Sequence, residues 1–263
     1  NPRYQHLQSS DDGTEEYSVE NAHIIAKTMS HHMNSIVGMN DEETFSFIQT
    51  YSLNKGLKKF GDRGKDAAQK EMKQLHDRVV FEPILIAEMT QLERKRAMES
   101  LIFLTEKRDG TVKARTCANG STQREYIPRE EATSPTAATE AILITGVLDA
   151  KQRRDVMTLD IPNAFVQTEI PERGDKIIMK IRGRLVDILT EICPGVYDDY
   201  VIHEGKQQVL YVKMLRALYG MLISSVLYYK KFRKDIESIG FEVNPYDICV
   251  ANRKVKGKQH TVT

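Results

Sequence analysis

The order of two neighbouring segments limits the folds open to this chain. The stretch Ala137 to Ala150 is rich in Ala, Ile and Leu, as in a buried helix, and it leads directly into a β-prone run that ends at Asp160. Alternate residues of a strand point to opposite sides, so Asp160 faces away from the more apolar side of its strand. We therefore predict a helix followed by a strand whose last carboxylate faces a cleft.

Hydrophobic spacing predicts further helices and strands on both sides of this pair. The other predicted helices are Lys65 to Val80, Ile84 to Met98, and Val226 to Ile239, the last ending at Gly240. The predicted strands are Ser100 to Leu104, Thr111 to Cys117, Lys176 to Ile181, and Gln208 to Met214. The first two strands form a hairpin, and an irregular stretch with Pro194 and Gly195 separates the last two. This order predicts an α+β fold in which helices pack on a mixed or antiparallel sheet.

The charge is distributed unevenly along the chain, although the net charge is only +1. Residues 1–50 hold two basic and eight acidic side chains, so the rest of the chain has an excess of seven positive charges. We interpret residues 1–50 as an acidic, partly disordered linker. The modestly basic remainder permits contacts with phosphate groups but does not require them.

The cysteines and the hydropathy pattern both indicate a protein that stays inside the cell. Cys117, Cys193 and Cys249 are far apart and odd in number, which fits neither a disulfide framework nor the close pairs of a zinc site. No run of about 18 apolar residues occurs, and the amino terminus is polar. We therefore expect no membrane partner, no secretory signal, and a reduced compartment.

Three groups of residues occur in an order and at a spacing typical of one enzyme family. They are Lys113, Ala114 and Arg115; Leu159 and Asp160 with Asn163, Ala164 and Phe165; and Leu218, Tyr219 and Gly220, followed by Tyr228, Tyr229 and Phe232 and then Gly240 and Phe241. Through these motifs the chain from about Lys58 to Thr263 resembles the reverse transcriptase domain of copia-type retrotransposon polyproteins. The resemblance implies a right-hand polymerase, with fingers-like residues 51–150 and a partial palm at residues 151–263.

The resemblance also implies two-metal nucleotidyl transfer. Two Mg²⁺ (or Mn²⁺) ions about 3.5–4 Å apart would activate a primer 3′ hydroxyl and neutralise the leaving pyrophosphate, and such ions require oxygen ligands. Asp160 matches the first of the family's metal-binding, catalytic aspartates, and the backbone carbonyl of Ile161 would add a ligand. The alternative is a surface aspartate that ends a strand.

Other matched positions would contact the nucleotide. Lys113 and Arg115 alternate on a strand, so they share one face and suit a triphosphate, although exposed hairpins also carry basic residues for solubility. Phe165, after Ala164, matches the aromatic position beneath the incoming sugar; the alternative is a core Phe. Gly220 belongs to the turn that begins the second palm motif. After it the chain departs from the family, since Ile223 stands where a polar side chain is usual.

The family's third motif, a Tyr-x-Asp-Asp hairpin with the other metal-binding aspartate, has no match in its usual place. Tyr197 to Tyr200 contains two aspartates but precedes Leu218, and we interpret it as an exposed acidic loop. The hairpin would come just beyond Val255 to Thr263. One aspartate cannot hold two divalent ions, so we predict that this chain alone does not polymerise.

The sequence thus supports three interpretations. The first is a fragment of an RNA-directed DNA polymerase that uses an RNA or DNA template, a DNA primer and dNTPs, with integrase and RNase H elsewhere in the polyprotein and a cytoplasmic particle or the nucleus as its location. The second is a non-catalytic nucleic-acid-binding remnant of a transposable element. The third is a purely structural or interaction fragment.

Overall fold

The computed structural model describes residues 50–172 and 176–263, which belong to one compact unit, Thr50–Thr263. The strands are β1 (Thr50–Ser52), β2 (Phe81–Pro83), β3 (Met98–Glu106), β4 (Val112–Ala118), β5 (Ile178–Arg182), β6 (Ile202–Glu204), β7 (Gln207–Met214), β8 (Glu242–Val243), β9 (Ala251–Val255) and β10 (Lys258–Val262). The helices are α1 (Leu53–Phe60), α2 (Asp62–Asp77), α3 (Gln91–Arg96), α4 (Arg129–Ala132), α5 (Thr139–Gln152), α6 (Arg184–Ile192) and α7 (Ser224–Ser238). The predicted acidic linker lies, except for Thr50, outside the described residues.

Seven of the strands form one mixed sheet. Its order is β1-β3-β5-β7-β2, with β4 paired to β3 and β6 paired to β7. All pairs are antiparallel except β3 and β5, which run parallel through Met98 opposite Met179 and Glu99 opposite Lys180. Strands β1 and β6 are each three residues long; β1 pairs only with β3, and β6 pairs only with β7, among the described strands. The expected α+β class with a mixed sheet is confirmed, and strands β3 and β5 pair across the predicted boundary near residue 150.

Helices α2 and α6 cover one face of this sheet. Both present apolar residues at helical spacing, which gives each helix one buried side. The main core lies between them and strands β3, β5 and β7, and its fully buried members include Met72, Leu104, Met179, Leu189 and Leu210. The predicted helix from Lys65 and the predicted strands β3, β4, β5 and β7 are therefore confirmed, with shifts of a few residues at their ends.

The other face of the sheet carries a network of charged side chains. The Nζ atom of Lys180 donates to the carboxylate of Glu204 at 2.6 Å, and the hydroxyl of Tyr211 donates to the same carboxylate at 2.8 Å. Arg182 forms two hydrogen bonds of 2.8 Å with Glu99. The bond from Lys180 is the main cause that lowers the pKa of the Glu204 carboxyl group. The network joins β3, β5, β6 and β7 across their pairing edges.

Two predictions about local structure between the helices and strands were wrong. The predicted helix from Ile84 to Met98 is interrupted, and only α3 is α-helical, because a capping box of Thr90 and Glu93 begins the helix late and β3 starts at Met98. The stretch predicted as irregular between β5 and β7 contains α6. Its buried Leu185, Val186, Ile188 and Leu189 have the spacing of an amphipathic helix.

The predicted strand that ends at Asp160 was also wrong. Residues 154–160 have no regular secondary structure, and Leu159 is 78% exposed. Helix α5 forms as predicted, but it is not buried: Ile142, Leu143, Ile144 and Val147 are between 53 and 67% exposed. A β-prone run forms a strand only where a partner edge supplies hydrogen bonds. In the described chain, residues 154–160 pair with no strand.

The carboxyl-terminal residues form a second, smaller sheet, with the order β10-β9-β8. Helix α7 precedes it and ends as predicted before Gly240, whose φ of +87° suits a glycine cap. The ends of α5 contact this part: Asp247 accepts the Ala138 N–H at 2.8 Å, and Arg154 lies 3.4 Å from the Thr261 hydroxyl. No helix of residues 50–172 and 176–263 is both long and apolar enough to cross a membrane.

Candidate functional site

Strand β4 presents two basic side chains on one exposed face. Lys113 and Arg115 are exposed, whereas Ala114 and Thr116 between and after them are 3% and 1% exposed. The predicted alternation is therefore confirmed. Neither cation forms an ion pair with any residue of the described chain. Two unpaired, exposed cations on a rigid strand can bind a multiply charged anion.

A half-buried carboxylate from α2 contacts the outer edge of β4. Glu71 accepts the backbone N–H of Thr116 at 2.8 Å, on the edge that does not pair with β3. Burial raises the pKa of the Glu71 carboxyl group, while the Thr116 bond and the charges of Lys113 and Arg115 act in the opposite direction. Glu71 thus holds β4 in place through its bond to the Thr116 N–H.

The end of β4 contacts the turn that contains Gly220. The Ala118 N–H donates to the Tyr219 carbonyl at 2.8 Å, and the Gly120 N–H donates to the Gly220 carbonyl at 3.1 Å. A Cβ atom at Gly220 would lie 2.0 Å from the Ala118 carbonyl oxygen, and one at Gly120 would lie 2.2 Å from the Gly220 oxygen. Both positions therefore require glycine. We call this crossing of two backbones the Gly120–Gly220 contact.

Phe165 lies against aromatic rings from the same region. Its ring centroid is 4.7 Å from that of Tyr219 and 6.0 Å from that of Tyr228, and Tyr228 stacks on Phe232 at 6.0 Å. Phe165 and the preceding Ala164 are half-buried, so the Phe165 ring is neither a core residue nor a free surface residue. This arrangement places Phe165 beside the Tyr219–Gly220 turn.

Asp160 and Ile161 stand apart from these contacts. Asp160 is exposed and forms no hydrogen bond or ion pair with the described residues, and Ile161 is 38% exposed. The turn that follows brings Asn163 to a φ of +53°, and Gln167 donates to the Pro162 carbonyl at 2.9 Å. This local turn connects the aspartate to Phe165, five residues later.

The predicted metal ligands fit magnesium in chemical type but not in number. A carboxylate and a backbone carbonyl are hard oxygen donors. No group of three or more His, Cys, Asp or Glu side chains suited to a metal ion occurs in residues 50–172 and 176–263. The described residues around Asp160 therefore do not complete a two-metal site.

The acidic segment Tyr197 to Tyr200 was predicted as an exposed loop, and this is correct only in part. Asp198 and Asp199 are exposed in a short 3₁₀ turn. Tyr197 is 1% exposed, and its hydroxyl lies 2.8 Å from Nδ1 of His76. Burial raises the pKa of the Tyr197 hydroxyl well above its ordinary range. The segment is thus anchored in the core through Tyr197.

Two residues of this region were missed by the sequence analysis. Glu71 gives no signal in the sequence, because a polar residue within an amphipathic helix normally faces solvent. Gln123, in the 3₁₀ turn Gly120–Glu125, is fully buried, and its Oε1 accepts the Leu222 N–H at 2.7 Å. The sequence does contain Gly120, three residues earlier. A glycine often marks a position where two backbones approach closely, as they do here.

Two cavities lie away from this region. One, of about 580 Å³, lies along α2 and includes Lys70, Lys73 and Arg78. Another, of about 550 Å³, lies between Glu169 and Arg216 and includes Lys213.

Comparison with family models, with curated proteins and with solved structures found no match to the chain.

Proposed function

We propose that this chain is a fragment of an RNA-directed DNA polymerase of the copia retrotransposon type. In the intact protein it would transfer nucleotides to a DNA primer on an RNA or DNA template by two-metal catalysis. The support comes from the sequence motifs together with the contacts between them.

One observation carries the proposal: three segments that share their order with the family contact one another. The end of β4 binds the Tyr219–Gly220 turn through two backbone hydrogen bonds. The ring of Tyr219 packs on Phe165 at 4.7 Å. Along the chain, Ala118, Phe165 and Tyr219 are each about 50 residues from the next. Their contacts therefore arise from the fold and not from closeness in sequence. Residues that act on one nucleotide must meet in this way.

Each part of a nucleotide has a proposed contact. Lys113 and Arg115 would bind the triphosphate, since Arg offers a bidentate fork and Lys a point charge. Phe165 would lie beneath the sugar and exclude a 2′ hydroxyl. In an active form, Phe165→Val should admit ribonucleotides, and an unchanged preference for dNTPs over rNTPs would count against this role.

Asp160 and the carbonyl of Ile161 would contribute to one metal ion, which would activate the primer hydroxyl. The described residues do not complete that site, so we expect no polymerisation by this chain alone. An assay with an RNA template, a DNA primer, dNTPs and Mg²⁺ tests this. Incorporation that is lost in Asp160→Asn would show that the chain is a complete catalyst and would refute the fragment proposal.

A second candidate function is non-catalytic binding of nucleic acid. It is favoured by the exposed Lys113 and Arg115, whose charges bind phosphates without any role for Asp160. The two candidates are separated by nucleotide binding, since a remnant would bind primer–template but would not prefer dATP to ATP. Binding of primer–template that ignores ionic strength would exclude both, because phosphate contacts release counterions.

A further inference from the structure

Gln123 has the contacts of a residue that fixes geometry. Its side chain is 0% exposed, and its Oε1 accepts the Leu222 N–H at 2.7 Å. Its Nε2 has no hydrogen-bond partner in the described chain. A buried amide that satisfies only one of its groups is an unusual choice for a core position.

The energetic balance disfavours a purely stabilising role. A buried N–H donor without a partner costs more free energy than one ordinary hydrogen bond gains. Met at this position would fill a similar volume without burying an unpaired donor. What Met cannot do is accept the Leu222 N–H. Gln123 thus differs from an apolar residue of the same size in one respect: its bond to the Leu222 N–H holds the turn that includes Leu222 in a fixed position.

Several bonds hold that turn. The bonds from Ala118 to Tyr219 and from Gly120 to Gly220 involve only backbone atoms, and just before the turn the Ala217 N–H donates to the Thr168 carbonyl at 2.9 Å. The Gln123 bond adds a side-chain contact two residues after Gly220. Because Gln123 lies in the 3₁₀ turn directly after β4, this bond joins the turn to the strand that carries the two basic side chains.

The orientation of this turn determines where the Tyr219 ring lies. Tyr219 is the ring closest to Phe165, at 4.7 Å between centroids. On the other side of the contact, Ala118 ends the strand that carries Lys113 and Arg115. The Gly120–Gly220 contact therefore connects the strand that carries Lys113 and Arg115 to the turn that carries the Tyr219 ring.

We propose that Gln123 is a positioning residue that fixes Phe165, through Tyr219, relative to Lys113 and Arg115. The triphosphate and the sugar of one nucleotide are then recognised together. Gln123 touches neither part of the ligand. This inference rests on the proposed function, because it assigns those two contacts to one dNTP.

The test compares three ligands on the intact chain: inorganic tripolyphosphate, dATP and ATP, each titrated by calorimetry in Mg²⁺ buffer. In Gln123→Met, tripolyphosphate affinity should stay within about twofold of the original chain. The preference for dATP over ATP should fall about tenfold, which corresponds to about 1.4 kcal/mol of lost discrimination. Gln74→Met, at a half-buried position of α2 away from the candidate site, is the matched control and should change neither value.

The outcomes separate the two proposals. An unchanged dATP preference in Gln123→Met, or a parallel loss for all three ligands, overturns the role of Gln123. Binding of tripolyphosphate that survives in Lys113→Ala/Arg115→Ala, or a dATP preference that is absent in the original chain, overturns the proposed function and with it this inference. Thermal unfolding shows which variants are folded. If Gln123→Met does not fold, Gln123→Ala replaces it in the same titrations.

Discussion

Helix α6 and helix α5 have similar apolar content but opposite surroundings. Leu189 on α6 is completely buried between α2 and the sheet, whereas Leu143 on α5 is 64% exposed. Helix α6 has a polar side and an apolar side, while the apolar residues of α5 surround the helix. An amphipathic helix indicates both that it packs and on which side. A helix that is apolar all round predicts burial but identifies no partner.

The same difference applies to the two β-prone runs. The residues of β7 pair with β5 on one edge and with β2 and β6 on the other. Residues 154–160 have a similar tendency to form a strand but pair with no strand of the described chain. Strand formation depends on the neighbouring edge as much as on the residues of the strand itself. The sheet region is therefore fixed by its partners, and the Asp160 segment is not.

The largest expected effect compares these two helices directly. Leu189→Ala removes fully buried methyl groups and should lower the free energy of unfolding by about 2–5 kcal/mol. Leu143→Ala should change it by less than about 0.5 kcal/mol, since the side chain is exposed and Ala favours helix. Urea unfolding of both variants gives the two values. If both variants lost similar free energy of unfolding, α5 would have to be buried, and the difference between α5 and α6 would not exist.

The next effect concerns two glycines with positive φ. Gly220→Ala places a Cβ atom 2.0 Å from the Ala118 carbonyl oxygen, whereas Gly110→Ala at the hairpin turn meets nothing within 4 Å. Both changes carry the backbone cost of about 1–2 kcal/mol for a left-handed L-residue. Gly220→Ala should cost about 1–3 kcal/mol more, from overpacking. Equal losses in chemical unfolding would show that β4 and the turn are not in close contact.

The smallest effect compares two ion pairs by their dependence on pH. The folded protein lowers the pKa of Glu204, so this group stabilises the fold above the unfolded pKa near 4.3, and its contribution is lost as pH falls through the lower folded value. Glu204→Gln should therefore cost roughly 1 kcal/mol at pH 7 and progressively less below about pH 4.

Asp77 supplies the control for this comparison. It pairs with Lys73 on the exposed side of α2, and each side chain is about half exposed. Asp77→Asn should cost less than about 0.5 kcal/mol at pH 7, as exposed pairs do. A loss for Glu204→Gln that stays constant from pH 7 to pH 3 would mean that the charge of Glu204 does not stabilise the sheet.

The parts of the fold that the sequence predicted are those with a local signal. The spacing of Ala68, Met72 and Leu75 predicted α2, and the turn at Gly110 predicted the hairpin of β3 and β4. Helix α6 had an equally clear signal that was not used. The parallel pairing of β3 with β5 has no local signal, because it joins residues about 80 positions apart through only two pairs.

The candidate site divides in the same way. The shared face of Lys113 and Arg115 follows from strand alternation and was predicted. The Gly120–Gly220 contact, the bond from Gln123 to Leu222 and the edge contact of Glu71 join distant segments, and single-residue patterns do not contain them. The exposure of Asp160 also depends on long-range pairing, which is why the predicted cleft-facing strand was wrong.

The most direct measurement asks which residues touch a bound nucleotide. Photo-crosslinking with 4-thio-dTTP, followed by peptide mass spectrometry, maps the residues around the base of the bound nucleotide. We predict labels between Asp160 and Thr168 or between Leu218 and Leu222, and loss of labelling in Lys113→Ala/Arg115→Ala. Labels confined to the cavity along α2, or labelling that is unaffected by that double variant, would contradict the proposed convergence of these segments on one nucleotide.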